Sequence, residues 1–271
     1  MRNIRLNLGY DGTEYHGFQR QPEFHGPTIQ GTLEKVWREL TSEEINITTA
    51  GRTDTGVHAA GQVVNFLSNT RIPLDKIPKA FNSLLPPDIR VHLAIQESED
   101  FNARISAKWK RYEYRIYNGR IQDVFTRLYT LHEPVELNVD LMKLASKHLE
   151  GKHNFKAFSA SGASSKTFVR TLYKCEVQKK DNLITVTCIG DGFLYNMVRI
   201  IAGTLIYVGK GRIRPEDMTA IIQTQDRKKA GKTALAQGLT LCYVHYGQEH
   251  PSEIYPELWC TDPDLNRNKR G

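Results

Sequence analysis

Apolar residues recur first at every second position and then at every third or fourth, in an order that leaves the chain few ways to bury them. Ile4, Leu6 and Leu8 alternate with Arg5 and Asn7, the period of a half-buried strand, and run into the turn residues Tyr10-Asp11-Gly12-Thr13. From Thr28, a residue suited to cap a helix, Ile29, Leu33, Val36, Trp37 and Leu40 fall on one helical face. Strand-like stretches follow at Ile45–Ala50 and Gln62–Leu67, separated by a turn rich in Gly and Thr. A helix near Leu74–Leu85 stops at Pro86-Pro87, and a strand near Arg90–Ile95 closes the set. The order is β-α-β-β-α-β, in which each helix must return across the sheet and bury its stripe there.

The second half has the same grain without a letter-for-letter repeat. Strands are expected at Lys110–Tyr117, Arg170–Gln178, Leu183–Ile189 and Leu239–His245, and helices at Val139–Glu150, Phe193–Val208 and Pro215–Gln223. In the helix from Phe193, Leu194, Met197, Val198, Ile201, Leu205 and Val208 form the expected buried stripe, with Asn196, Arg199, Gly203 and Tyr207 opposite. Ser159–Lys166 reads as a loop with no core-forming side chain, and the residues after Gly247 read as an appendage. The chain divides as 1–107, 108–248 and a tail, 249–271.

Charge narrows the partners. Lys and Arg number 37 against 30 Asp and Glu, a net +7, which favours a polyanion without requiring one. Cys175, Cys188, Cys242 and Cys260 form no CxxC pair, so reduced thiols are expected rather than a disulfide framework or a zinc site. The first residues carry no apolar signal core, and the apolar stretch Ile200–Val208 is too short to span a bilayer, so a cytoplasmic protein with no membrane partner is expected. Two phosphate-binding look-alikes fail. Gly231-Lys232-Thr233 has Asp226 where its motif needs a glycine, and Gly209-Lys210-Gly211 has Arg214. No HExxH or other ligand spacing occurs among the nine histidines, so no metal is expected.

Three clusters carry chemistry. Gly51-Arg52-Thr53-Asp54-Thr55-Gly56-Val57-His58-Ala59 lies between two expected strands, where a loop can present Arg52 and Asp54 to a ligand; the same letters also suit an Asx-turn. From Arg104 to Arg120 there are six basic residues and one acidic, with Tyr112, Tyr114 and Ile116 on one strand face and Arg111, Glu113 and Arg115 on the other. Aromatics among cations suit unstacked RNA bases and phosphates, although the tyrosines also suit a core and the charges can pair on the sheet. Arg199 is alone in an apolar stretch and needs either an anionic partner or a path to water.

These residues resemble the TruA family of tRNA pseudouridine synthases. The loop Gly51–Ala59 is similar to its signature, and Tyr10-Asp11-Gly12-Thr13-Glu14-Tyr15-His16-Gly17-Phe18-Gln19-Arg20-Gln21 with Thr28-Ile29-Gln30-Gly31 is similar to its opening. Lys110-Arg111-Tyr112-Glu113-Tyr114 resembles its tyrosine strand, Phe193-Leu194-Tyr195-Asn196-Met197-Val198-Arg199 its arginine helix, and Ala230 to Leu239 its last motif. Together the five cover residues 4 to about 246.

The resemblance implies an α+β fold: two ferredoxin-like halves joined in a continuous, mainly antiparallel sheet with helices packed on it and the active cleft between the halves. It implies a homodimer that isomerises uridine to pseudouridine in the anticodon stem-loop of tRNA, at positions 38, 39 and 40, with no cofactor. Asp54 is then the catalytic carboxylate, which can attack the ribose or the uracil ring or remove a ribose proton. Arg199 pairs with it, Tyr112 stacks on the uracil, and Arg52 holds the flipped-out nucleotide. The alternative is an RNA-binding protein of ferredoxin-like fold without catalysis, which gives Asp54 no role, or an enzyme acting on another nucleobase.

Overall fold

A computed structural model describes residues 1–22, 26–162 and 166–256. The first half runs β1 (Arg2–Tyr10), α1 (Ile29–Thr41), β2 (Thr48–Thr49), β3 (His58–Ser68), α2 (Ile77–Leu84) and β4 (Ile89–Glu97). β1 lies between β3 and β4, antiparallel to both, and β2 pairs with the other side of β3. The second half contains β5 (Trp109–Tyr117), β6 (Leu131–His132), α3 (Val139–Lys147), β7 (Gly151–Asn154), β8 (Val169–Lys180), β9 (Leu183–Gly190), α4 (Met197–Gly209), α5 (Asp217–Thr224) and β10 (Leu239–His245). Here β5 lies between β10 and β9, and β8 follows β9. The strands β4-β1-β3-β2 and β10-β5-β9-β8 thus repeat one order, that of a β-α-β-β-α-β unit with its first strand in the interior.

One sheet results because β10 runs parallel to β3, through Thr240 opposite His58 and Leu241 opposite Ala59. Among the described residues it holds ten strands in the order β4-β1-β3-β10-β5-β9-β8-β7, with β2 on β3 and β6 on β5. The class is α+β, as the alternating periods predict.

Local chemistry sets the elements. Thr28 caps α1 by accepting from Gly31 N–H, and the stripe predicted from it buries Ile29, Leu33, Val36 and Trp37. Trp37 packs on Phe66 of β3 at 5.0 Å between ring centroids and on Phe81 of α2 at 5.2 Å. Asn138 caps α3 through Leu141 N–H. The strand expected at Ile45–Ala50 shrinks to Thr48–Thr49, because Ile47 N–H donates to the Glu34 carboxylate of α1 instead of to the sheet. β6 and β7 were not legible as strands, being short runs without alternation.

The arginine helix differs from its expected form. It starts at Met197 rather than Phe193, because Asn196 adopts a left-handed φ of 61°. On the side expected to oppose the stripe, Asn196, Arg199 and Tyr207 stay partly exposed, but Gly203, with Thr204 beside it, is covered by residues 231–234. Thr204 Oγ1 accepts from Gly231 N–H at 2.9 Å, and Ala234 N–H donates to Arg199 O at 3.1 Å. Gly203 permits this approach, since a Cβ there would stand 1.8 Å from the Lys232 carbonyl oxygen. Gly231-Lys232-Thr233, the failed phosphate-binding look-alike, is therefore the strap that holds the arginine helix.

The start of the tail is docked rather than appended. Trp109 Nε1–H donates to Glu249 O at 3.1 Å, Tyr255 packs on Trp109, and a short helix, α6 (Pro251–Ile254), opens with a capping box from His250 and Glu253. Burying the indole gave this segment a partner that its composition did not advertise. The rest of the tail, Cys260 included, lies outside the described residues, as do positions 163–165 of the expected loop. Cys175 and Cys188 face each other across β8 and β9 as buried free thiols, with sulfurs 3.9 Å apart.

Two outcomes test this packing. Gly203→Ala drives a methyl into a backbone carbonyl, so the urea midpoint should fall by the equivalent of ~1–3 kcal/mol, the usual cost of overpacking. An unchanged midpoint would show that the strap is loosely held. Burial also raises the phenol pKa of Tyr10 to about 12, and those of Tyr112, Tyr114 and Tyr246 further. These groups keep their protons in the fold while the unfolded chain ionises near pH 10, so their stabilisation is full below pH ~10 and is lost as the pH climbs toward the folded values. The thermal midpoint should accordingly drop from pH 9.5 to pH 11.5, and drop less in Tyr112→Phe.

Candidate active site

The loop from Gly51 to Val57 leaves β2 and enters β3, and the chain's opening segment holds it from below. Gln62 donates to Gly51 O at 2.8 Å, Tyr10 hydroxyl meets Thr53 Oγ1 at 2.8 Å, and Phe18 N–H donates to Thr53 O at 3.0 Å. Gly17 has a φ of +84°, and a Cβ on it would lie 2.9 Å from Thr53 O. At the loop's end, His58 Nδ1 accepts from Gly12 N–H, while its Nε2 lies 3.1 Å from Leu128 O and 3.2 Å from Gln237 O. The motif Tyr10–Gln21 is thus a cradle for the loop that begins 30 positions after it, at Gly51.

The cradle settles which reading of Asp54 holds locally. Its carboxylate makes no Asx-turn: Val57 N–H donates to the Asp54 backbone oxygen at 3.1 Å, and Oδ2 accepts from Arg199 Nη1 at 3.0 Å. Arg199 is held on two further sides, by Asn196 Oδ1 at 2.7 Å from Nη1 and by Ala234 O at 2.8 Å from Nε. The left-handed backbone at Asn196 turns its amide toward the guanidinium, so this side chain does not cap α4. Asp54 and Arg199 are both partly buried, with side-chain exposures of 28% and 17%. Exposed pairs contribute a median of only ~0–1 kcal/mol, and what this fixed, partly shielded pair supplies is the orientation of both groups. Arg199 therefore takes the anionic partner and not the path to water.

Tyr112 closes the same cleft. Its ring is 7% exposed and meets Phe193 edge-on at 4.9 Å, while its hydroxyl lies 3.3 Å from where a Cβ on Gly51 would stand. Burial is the main cause of its raised pKa, with the Tyr10 phenol and Asp54 adding to it, so the hydroxyl keeps its proton at neutral pH. Arg52 is exposed on the cleft wall. The structure therefore brings all four candidate residues, Arg52, Asp54, Tyr112 and Arg199, to one cleft of about 1060 Å³. That is room for a nucleotide and part of its neighbours.

The basic cluster from Arg104 to Arg120 is not one surface. Arg111 and Arg115 both pair with Glu113, at 2.5 and 2.9 Å, and Arg111 also stacks on Tyr255 at 4.6 Å, so the charges on that strand face satisfy one another. Arg104 and Lys110 instead line the cleft. Lys110 shares the face of Tyr112 by the period of two, a signal present in the sequence but hidden among its charged neighbours. Asn196 and Ala234, which position Arg199, carried no such signal.

Residues 8–105 and 145–247 match the model of a family described as tRNA pseudouridine synthase. Arg52, Asp54 and Arg199 fall inside the matched segments and Tyr112 between them. The chain is 47% identical to tRNA pseudouridine synthase A of Thermoanaerobacter sp. (strain X514), over 91% of this chain and 100% of that protein. The protein of the same name from Acetivibrio thermocellus is 45% identical with the same coverage. That from Moorella thermoacetica is 46% identical over 90% of this chain and 99% of its own length. The chain belongs to the tRNA pseudouridine synthase family, isomerases that act on tRNA.

Proposed function

We propose that this chain converts uridine to pseudouridine in the anticodon stem-loop of tRNA, at positions 38, 39 and 40, with Asp54 as nucleophile and no cofactor. The observation that carries the reading is the division of labour at the Asp54 carboxylate. Arg199 holds Oδ2, while Oδ1 makes no hydrogen bond with any described residue, and Asp54 lines the cleft together with Tyr112. A carboxylate anchored by one oxygen is oriented without being spent, the arrangement nucleophilic catalysis needs.

The reaction breaks the bond from ribose C1′ to uracil N1 and makes one from C1′ to C5. The hydrogen on C5 leaves to water, and N1 regains a proton. Asp54 starts the exchange and is released at its end, so nothing is oxidised and no group is acquired. Tyr112, with Phe193 against its ring, offers an aromatic wall on which the freed uracil turns without escaping. Arg52, exposed on the wall, holds the flipped-out nucleotide. The halves 1–107 and 108–248 each supply part of the site: Asp54 and Arg52 from the first, Tyr112 and Arg199 from the second.

The working unit is a homodimer in the cytoplasm. In the connection from β5 to β6, Ile121, Val124 and Phe125 are 84%, 60% and 89% exposed, an apolar segment that favours a second copy as its cover. No described helix is long and apolar enough to cross a membrane.

Purified protein, with chelator and no added cofactor, should release tritium from tRNA labelled at uridine C5. Asp54→Asn should abolish release while keeping the fold and RNA affinity, because an amide oxygen still accepts from Arg199 but does not attack. Binding without release by the unaltered protein would favour the non-catalytic RNA-binding alternative. At Tyr112, substitution by Phe should keep much of the single-turnover rate that Ala loses. Equal rates for Ala and the native residue would place Tyr112 in the core alone.

A further inference from the structure

We propose that Lys110 binds a backbone phosphate flanking the target uridine, in a subsite walled by Arg104 and Gly51. The proposal rests on the reading of this cleft as the seat of a tRNA uridine and adds a recognition residue to it.

Lys110 lies one strand repeat from Tyr112 on the same face of β5, roughly 7 Å along the strand. On the sheet it stands beside Gly190 of β9, and across the cleft its Nζ is 3.9 Å from where a Cβ on Gly51 would stand. The missing side chain at Gly51 thus leaves open space in front of the ammonium, while the Gly190 side is closed by Leu172 and Phe193. It forms no hydrogen bond or ion pair with any described residue. The one carboxylate among the residues lining the cleft is Asp54, and Arg199 already holds it.

The neighbouring charges are of the same sign. Arg104 also lines the cleft, and the positive charge of Arg170 on β8 acts on Lys110 as well. Burial, with these two guanidinium groups, lowers the Lys110 pKa to about 8. A shielded ammonium among cations is an unfavourable arrangement that a neutral partner does little to relieve, whereas a phosphodiester oxygen offsets it directly. A uracil carbonyl is the weaker candidate for this reason. The position agrees as well, since the point at Gly51 that Lys110 Nζ borders lies 3.3 Å from the Tyr112 hydroxyl, so a group held there is next to the base wall.

The test uses anticodon stem-loop RNA with either natural linkages or neutral methylphosphonates on both sides of the target uridine. With natural RNA, Lys110→Met should reduce the slope of log affinity against log salt by about 0.7–0.9, the value of one phosphate contact. Lys110→Arg should restore the slope, and in turnover the loss should fall on KM more than on kcat. With methylphosphonate RNA the wild-type protein should lose that same increment of slope, and Lys110→Met should lose nothing more. An unchanged slope in the variant, or a full slope for wild type on the neutral RNA, overturns the proposal. A fall in kcat with binding intact also overturns it and assigns Lys110 to the base. The wild-type measurement stands even if the methionine variant fails to fold. Failure of the catalytic reading would appear separately, as wild-type protein that binds RNA and releases no tritium.

Discussion

The contact from Arg199 to Asp54 ties together parts of the chain that share nothing in sequence. One end sits in a loop between β2 and β3, the other on the first turn of α4, and they meet at 3.0 Å only because β10 joins the two sets of strands into one sheet. Each partner is over-determined. The Tyr10–Phe18 segment supports the aspartate loop, and Asn196 with the Ala234 carbonyl holds the guanidinium. Had either been free to rotate, a pair with this much exposure would contribute little and position nothing. The local strain at Asn196 is the counterpart of that rigidity, a left-handed residue kept where a straight helix start would have aimed the amide elsewhere.

Charge is distributed by the same logic. The chain's excess of cations suggests a broad basic face, yet Glu113 satisfies Arg111 and Arg115 on one side of β5. Among the described residues, Lys110 and Arg104, which line the cleft, have no such partner. A net charge of +7 therefore reports attraction to a polyanion only in sum. What an incoming RNA meets depends on which positives the fold has left uncompensated, and those sit beside the candidate catalytic loop.

Most elements were legible from periodicity because the sheet is amphipathic and its helices carry one dominant stripe. β10 was readable to the residue, as was the cap of α1 at Thr28. Reading failed where a non-local partner overruled local pattern. Glu34 pulled Ile47 out of a strand, the strap at Gly231 covered Gly203 on the side of α4 opposite its stripe, and Trp109 gathered the start of the tail. In each case the deciding atom belongs to a segment remote in the chain, which a window of neighbouring residues does not contain.

For the candidate site the division is similar. Sequence by itself determined the residue types and their order: an Asp between two glycines, a tyrosine on an alternating strand, a lone arginine in an apolar run. These follow from short-range chemistry, since turns need glycine, strands alternate, and a buried cation demands an anion. The sequence also left Arg199 with two possible partners, Asp54 with two possible conformations and Lys110 lost among its neighbours. Tertiary structure decided all three. Whether a charge is paired, shielded or left facing a cleft depends on which backbone passes within about 3 Å of it, and that proximity is created by the junction of β3 with β10, not by any stretch of the chain.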